Sequence, residues 1–105
     1  MNKRLGFIFE KIVSLNKKQI GDRDKQVVIG KHFCHVVEEV GEMACCLRGK
    51  NDEPLMNEAV DTAICALAIA LTESDGDLRP ILDIFNIKLD KWNDNLDKDL
   101  DRKFN

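Results

Sequence analysis

Apolar residues recur along most of this chain at spacings of three and four, the period of a helix face, and no segment alternates convincingly as a half-buried strand does. Leu5, Ile8, Phe9, Ile12 and Leu15 form one such stripe and predict a first helix that fades near Gly21. From Gly21 to Gly30 the chain is polar apart from Val27 to Ile29, and its pattern leaves the conformation open. A second helix is predicted from about Lys31 to Arg48, with Phe33, Val36, Val37, Val40, Ala44 and Leu47 as its core face and Gly49 as its stop. His35, Glu38, Glu39 and Glu42 fall on its other side.

A third helix is predicted from near Pro54, since proline is tolerated in a first turn, with Asn51 or Asp52 as its cap. Between Ala59 and Leu71 only Asp61 and Thr62 are polar, so this helix is apolar nearly all round and has to be covered on every side. That run is well short of the roughly twenty residues that span a bilayer, so the expectation is a buried core helix and no membrane association. Thr72 to Asp77 reads as a loop. A fourth helix follows around Pro80, with Ile81, Ile84, Phe85, Leu89, Trp92 and Leu96 as its stripe and a charged end, Asp97 to Lys103, that is expected to fray.

The fold class is therefore all-α: a single domain over residues 1–105, built as a four-helix bundle-like protomer. Three other helices are too few to cover the third, so the protomer is expected to be completed by homo-oligomerisation, as a dimer or a tetramer. The net charge of −3 comes from 16 basic and 19 acidic residues mixed along the chain, which gives no basic footprint for nucleic acid. The start, Met1-Asn2-Lys3-Arg4 and then Glu10 and Lys11, lacks the apolar core of a signal peptide, so a cytoplasmic protein is expected. Cys34, Cys45, Cys46 and Cys65 show no CxxC spacing and read as reduced core or near-core thiols rather than a zinc site or a disulfide framework.

Chemistry enters with two acidic clusters, Glu38-Glu39-x-x-Glu42 and Glu58-x-x-Asp61, each inside an apolar helical segment. At i,i+3 spacing Glu39 and Glu42 share one helix face, and so do Glu58 and Asp61. If the two helices are antiparallel neighbours, the pairs face each other. Four oxygen donors then converge in a set that suits Mg²⁺ or Mn²⁺ better than zinc. Glu58 and Asp61 stand at the entrance of the most apolar helix, where a charge is costly unless paired or bound to metal. Arg48 and Lys50 are the nearby bases for the alternative, a structural ion-pair cluster.

The stretch His32-Phe33-Cys34-His35-Val36-Val37-Glu38-Glu39-Val40-Gly41-Glu42-Met43, followed by Asn57-Glu58-Ala59-Val60-Asp61-Thr62-Ala63, resembles the MazG family of all-α nucleoside triphosphate pyrophosphohydrolases. That family's signature is Glu-Glu-x-x-Glu, a variable gap and Glu-x-x-Asp; here fifteen residues separate Glu42 from Glu58. The resemblance spans residues 31–71, and the flanking helices match the family's four-helix plan. It implies Mg²⁺, with Mn²⁺ as a substitute, on Glu39, Glu42, Glu58 and Asp61, with Glu38 beside the ligands or orienting the attacking water. It also implies a phosphate-binding counterpart in Lys88, Lys91 and Asn93 of the last helix. Here the chain departs from many relatives, placing Trp92 before Asn93 and acids at Asp90, Asp94 and Asp97. His35, one turn before Glu39, is a further candidate substrate contact.

The implied activity is cleavage of a (deoxy)nucleoside triphosphate between the α and β phosphates, in nucleotide-pool housecleaning. The residues agree with that chemistry, because a carboxylate site repels a bare triphosphate and attracts one carrying Mg²⁺, and there is no Gly-rich phosphate loop of the γ-phosphate-cleaving kind. Two other readings compete. A di-iron or di-manganese carboxylate bundle needs Glu-x-x-His motifs, which this chain lacks; a non-enzymatic helical binding or oligomerisation module needs no site at all.

Overall fold

The computed structural model describes residues 3–104, with side-chain surroundings through residue 100. Four helices follow in order: α1 (Lys3–Ile20), α2 (Lys25–Leu47), α3 (Leu55–Glu73) and α4 (Leu78–Phe104). There is no strand among the described residues, so the protomer is all-α and bundle-like. Helix α4 continues through Phe104, where fraying was expected.

Helix α2 begins six residues earlier than the pattern predicts. Asp24 caps it, its side chain accepting the Gln26 N–H at 2.8 Å, and the first turns bury Val28 to 2 % exposure. Gly30 is therefore helix interior, and packing of Val28 overrides its poor propensity. Helix α2 ends where Gly49 takes φ +69°, a left-handed C-cap conformation that closes with the Lys50 N–H on the Cys45 carbonyl at 2.8 Å. Helix α3 has Pro54 as its N-cap residue and no side-chain cap; Asn51, expected as a cap, instead braces the connecting loop. Helix α3 ends at Glu73, so Thr72 belongs to its last turn rather than to the loop. The α3–α4 turn uses Asp75 and Gly76 at positive φ, and Asp77 accepts the Arg79 N–H in the first turn of α4 at 3.0 Å.

Helices α2 and α3 form an antiparallel hairpin: Glu39 meets Glu58 and Asp61, while His32, earlier on α2, shares a pocket with Ile64 and Ala68, later on α3. Helix α1 lies across α3, where the Asn16 amide donates to the Ala68 carbonyl (3.3 Å) and the Thr72 hydroxyl (3.1 Å). Among the described residues the buried apolar side chains are few, Val28, Ala68, Leu71 and Ile81, and Cys34 and Cys45, expected in or near the core, are exposed on α2.

The side of α2 assigned to the core is not in it. Phe33, Val37, Val40 and Leu47 are at least half exposed, whereas the side carrying His32 and Glu39 packs on α3. On α4 only Ile81 of the expected stripe is buried; Ile84, Phe85, Leu89, Trp92 and Leu96 are exposed, and from Leu82 to Leu100 every residue is. Helix α4 meets α3 through its first turns and then projects from the body, which stretches the molecule to 56 × 37 × 28 Å. The radius of gyration is 16.7 Å, against about 13 Å for a compact chain of this length.

Helix α3 has 19 residues at a mean hydropathy of 1.5, so by length and composition it is long enough to cross a membrane, a measure the thirteen-residue apolar run understates. Only 22 % of it is buried within the chain, so the protomer leaves this helix largely uncovered.

Candidate metal centre

Periodicity places Glu39 and Glu42 on the α2 face turned to α3, and Glu58 and Asp61 in the first turns of α3. The antiparallel hairpin then brings one carboxylate oxygen each from Glu39, Glu58 and Asp61 within 4.8 Å of one another. Glu58 is 1 % exposed, Glu39 half-buried and Asp61 open to solvent, so the cluster grades from the interior to the surface. Glu42 stands outside that convergent trio, but its carboxyl is near enough to that of Glu58 to raise it.

Beside the trio lies a cleft of about 420 Å³ lined by Glu42, Cys45, Lys50, Asn51, Glu53 and Glu58. Its wall is the α2–α3 loop, tied down by three bonds. The Asn51 amide donates to the Glu42 carbonyl (3.4 Å), Asn51 Oδ1 accepts the Glu53 N–H (3.1 Å), and the Cys46 thiol donates to the Glu53 carbonyl (3.1 Å). This bracing holds the Glu53 carboxyl against Glu58. Sequence reasoning missed both Glu53 and Lys50 as site residues, because each sits in a loop where no helical period marks a face.

Glu58 is pushed up to about 9, first by the Glu53 carboxyl set against it, then by those of Glu39 and Glu42, and further by burial and the charge of Glu42. Three carboxyls therefore crowd the one buried group. Neither Arg48 nor Lys50 forms an ion pair with these acids among the described residues; the Lys25–Asp75, His35–Glu38 and Arg79–Asp77 pairs all lie elsewhere. The structural ion-pair alternative thus has no base in place.

The donor set is of a kind that fits a hard cation. Glu39 Oε2 and Glu58 Oε2 are buried and have no hydrogen-bond donor, which leaves two acceptors aimed at the interior with nothing to accept from. An all-oxygen set of this kind suits Mg²⁺ or Mn²⁺. Sulfur is disfavoured: burial, then the charge of Glu58, pushes the Cys46 thiol up, and burial, then Glu39 and Asp61, does the same to Cys65. No histidine belongs to the convergent trio, as the di-iron alternative would need.

The remaining expected site residues lie apart. Glu38 pairs with His35 at 3.7 Å on the exposed side of α2, so neither joins the convergent trio or lines the cleft. Lys88 lines an apolar groove of about 420 Å³ between α3 and α4. Lys91 and Asn93 are exposed on the projecting part of α4, and none of the three lines the carboxylate cleft.

No protein-family model, curated protein or solved structure matches this chain. What can be said of its function rests on the residues themselves.

Proposed function

We propose that this chain is a Mg²⁺-dependent nucleoside triphosphate pyrophosphohydrolase of the MazG kind, cleaving a (deoxy)nucleoside triphosphate to the monophosphate and pyrophosphate. The observation that carries the reading is the meeting of Glu39, Glu58 and Asp61 from two facing helices, with two buried carboxylate oxygens that have no donor. A divalent ion held there would supply charge to neutralise the polyphosphate and would make water a better nucleophile.

The chain's own groups divide the remaining work. Glu58 and Glu39 would hold such an ion from the buried side, and Asp61 from the side open to incoming substrate. Glu42, exposed in the same cleft, accepts a proton from the attacking water. Lys50 is the cleft's cation and binds outer phosphate oxygens, a task the resemblance gave to Lys88 and Lys91. Water adds to the α-phosphorus as its bond to the bridging oxygen breaks, and pyrophosphate leaves with that oxygen.

Surface area supports an oligomer. The chain exposes 8406 Å², about 2,400 Å² more than the roughly 6,000 Å² expected of a folded monomer of its mass. That excess is what one protomer contributes to a large obligate interface. A homodimer or larger assembly would cover α3 and the projecting half of α4, and would allow Lys88, Lys91 and Asn93 of one copy to reach the carboxylates of another. The protein would then work as a soluble cytoplasmic assembly.

The test is product analysis by anion-exchange chromatography after incubation with Mg²⁺ and each common NTP and dNTP, with Asp61→Asn as control. Monophosphate and pyrophosphate from the wild type alone support the reading. No turnover of any nucleotide by a folded oligomer leaves the binding-module reading in its place.

A further inference from the structure

Away from the carboxylates, a pocket of about 110 Å³ opens where α1, α2 and α3 meet, lined by Ile12, Leu15, Asn16, Gln19, His32, Ile64 and Ala68. Two of its residues are polar, buried and incompletely satisfied. Asn16 is 3 % exposed and His32 8 %, and Asn16 Oδ1 and His32 Nε2 have no hydrogen-bond partner. Native interiors rarely leave such atoms unpaired, and here two of them border one cavity.

The orientation of the Asn16 amide follows from its neighbours. The Thr72 hydroxyl gives its hydrogen to the Ala68 carbonyl at 2.8 Å, so its oxygen can only accept from Asn16. Both amide contacts of Asn16, to Thr72 and to Ala68, therefore use the NH₂ group, and Oδ1 is left as an acceptor. A ligand here must offer Oδ1 a donor. Burial, then the charge of His35, holds the His32 imidazole below its ordinary value, so the ring is neutral and offers one N–H and one lone pair. Ile12, Leu15, Ile64 and Ala68 give aliphatic walls for the faces of a flat ring, and Gln19 adds a polar group on the exposed side.

Position joins this pocket to the metal centre. His32 precedes Glu39 by seven residues, two turns or about 10 Å along α2, and lies on the same face. Ile64 and Ala68 follow Asp61 by three and seven residues on the matching face of α3. A molecule lying along the hairpin can place its phosphates on the carboxylates and a ring in the pocket.

We propose that the Asn16–His32 pocket seats the pyrimidine base of the nucleotide, an inference that rests on the pyrophosphohydrolase reading for the phosphates alone. Cytosine, uracil and thymine each set a donor beside an acceptor on the edge away from the sugar, the pair that Asn16 Oδ1 and a neutral imidazole can meet. The pocket's volume of about 110 Å³ is on the scale of one six-membered ring, so a fused purine would project beyond it.

The test is NMR of the full chain in EDTA, titrated with dCMP and dUMP and, separately, dAMP and dGMP, so that neither metal nor hydrolysis is involved. The pyrimidine monophosphates should shift the His32 ring and the Asn16 side-chain amide, and the purines should not. His32→Gln should weaken pyrimidine binding roughly tenfold, the loss of one hydrogen bond. Gln19→Ala, at an exposed position, keeps the test valid if the buried change unfolds the chain, and should weaken binding less. Equal shifts from purines, or pyrimidine shifts confined to residues around Glu58, would overturn the proposal. So would a slowly exchanging water that bridges Asn16 and His32 and persists at saturating nucleotide. A chain that binds pyrimidines here but hydrolyses no triphosphate would sink the enzyme reading and leave the pocket standing.

Discussion

Glu58 of α3 and Glu39 of α2 meet across the hairpin, each with one buried oxygen that no protein donor reaches. Two carboxyls so placed are held together by a shared proton or by a cation, and solution conditions decide which. Without metal the proton wins: Glu58 is raised from 4.5 to about 9, with Glu53 the first cause and Glu39 and Glu42 next. The folded chain then binds more protons than the unfolded one between those values. Stability from this group is complete below the ordinary carboxylate range and is lost as pH rises through about 9. The melting temperature of the protein in EDTA should accordingly fall between pH 5 and pH 9. A flat or rising profile would contradict the shared proton.

Added Mg²⁺ or Mn²⁺ should replace that proton. Binding at neutral pH should release on the order of one proton per ion, read as a dependence of calorimetric heat on the buffer's ionisation enthalpy. At a hundredfold excess over Kd the ion should add about 2.7 kcal/mol of stability and flatten the pH profile. Ca²⁺, larger and less demanding in geometry, serves as the comparison.

Substitutions at the cluster should separate according to burial. Glu58→Gln removes the buried titration, so its metal-free melting temperature should no longer fall with pH, while metal stabilisation and hydrolysis are lost. Asp61 is exposed, so Asp61→Asn should shift stability by no more than about 0.5 kcal/mol. Its affinity for Mn²⁺ should drop at least about tenfold, measured by calorimetry. Glu53→Gln takes away the strongest influence on Glu58, and the pH at which stability is lost should move downward. An unchanged profile in Glu53→Gln would remove that residue from the site.

Much of this site was legible in the sequence because i,i+3 spacing alone puts carboxylates on one helix face, and a short loop forces neighbouring helices together. Three of the four expected ligands, Glu39, Glu58 and Asp61, converge on that basis, and Glu42 comes beside them. The facing of α2 was not legible. Phe33, Val37 and Val40 look like a core stripe, yet the side with His32 and Glu39 turns inward, because a hydrophobic stripe says that a face is covered and not by which chain. Gly30 hid the first two turns of α2, although Asp24 carried the cap signal. Glu53 gave no periodic cue, since loop bracing through Asn51 and Cys46, rather than helix geometry, sets its position.

The small interior makes a further prediction about stability. Leu71 is fully buried beside Thr72, whose hydroxyl joins Asn16 to α3. Leu71→Ala should cost about 2–5 kcal/mol by cavity formation. Thr72→Val keeps the volume but removes the Asn16 partner, and should cost about 1–3 kcal/mol. Urea denaturation checks both, and a lower midpoint without change of slope would locate each effect in the folded state.

The same shortage of interior leads to a prediction of association. Leu67, Ile84 and Phe85 border the groove between α3 and α4, where the only polar wall is the end of Lys88. A second copy laid there would bury apolar surface that a single chain leaves in water, including α4 beyond Leu82. Light scattering should give at least twice the chain mass of 12.0 kDa at micromolar concentration. Phe85→Asp sets a charge in that groove, exposed within one chain at 45 % and buried only by association. It should yield monomers with a lower melting temperature and weaker hydrolysis, because Lys88 and Lys91 would no longer reach a partner's carboxylates. A wild-type monomer would instead require the exposed face of α3 to meet a different partner or a bilayer, and sedimentation with vesicles of neutral lipid distinguishes the two.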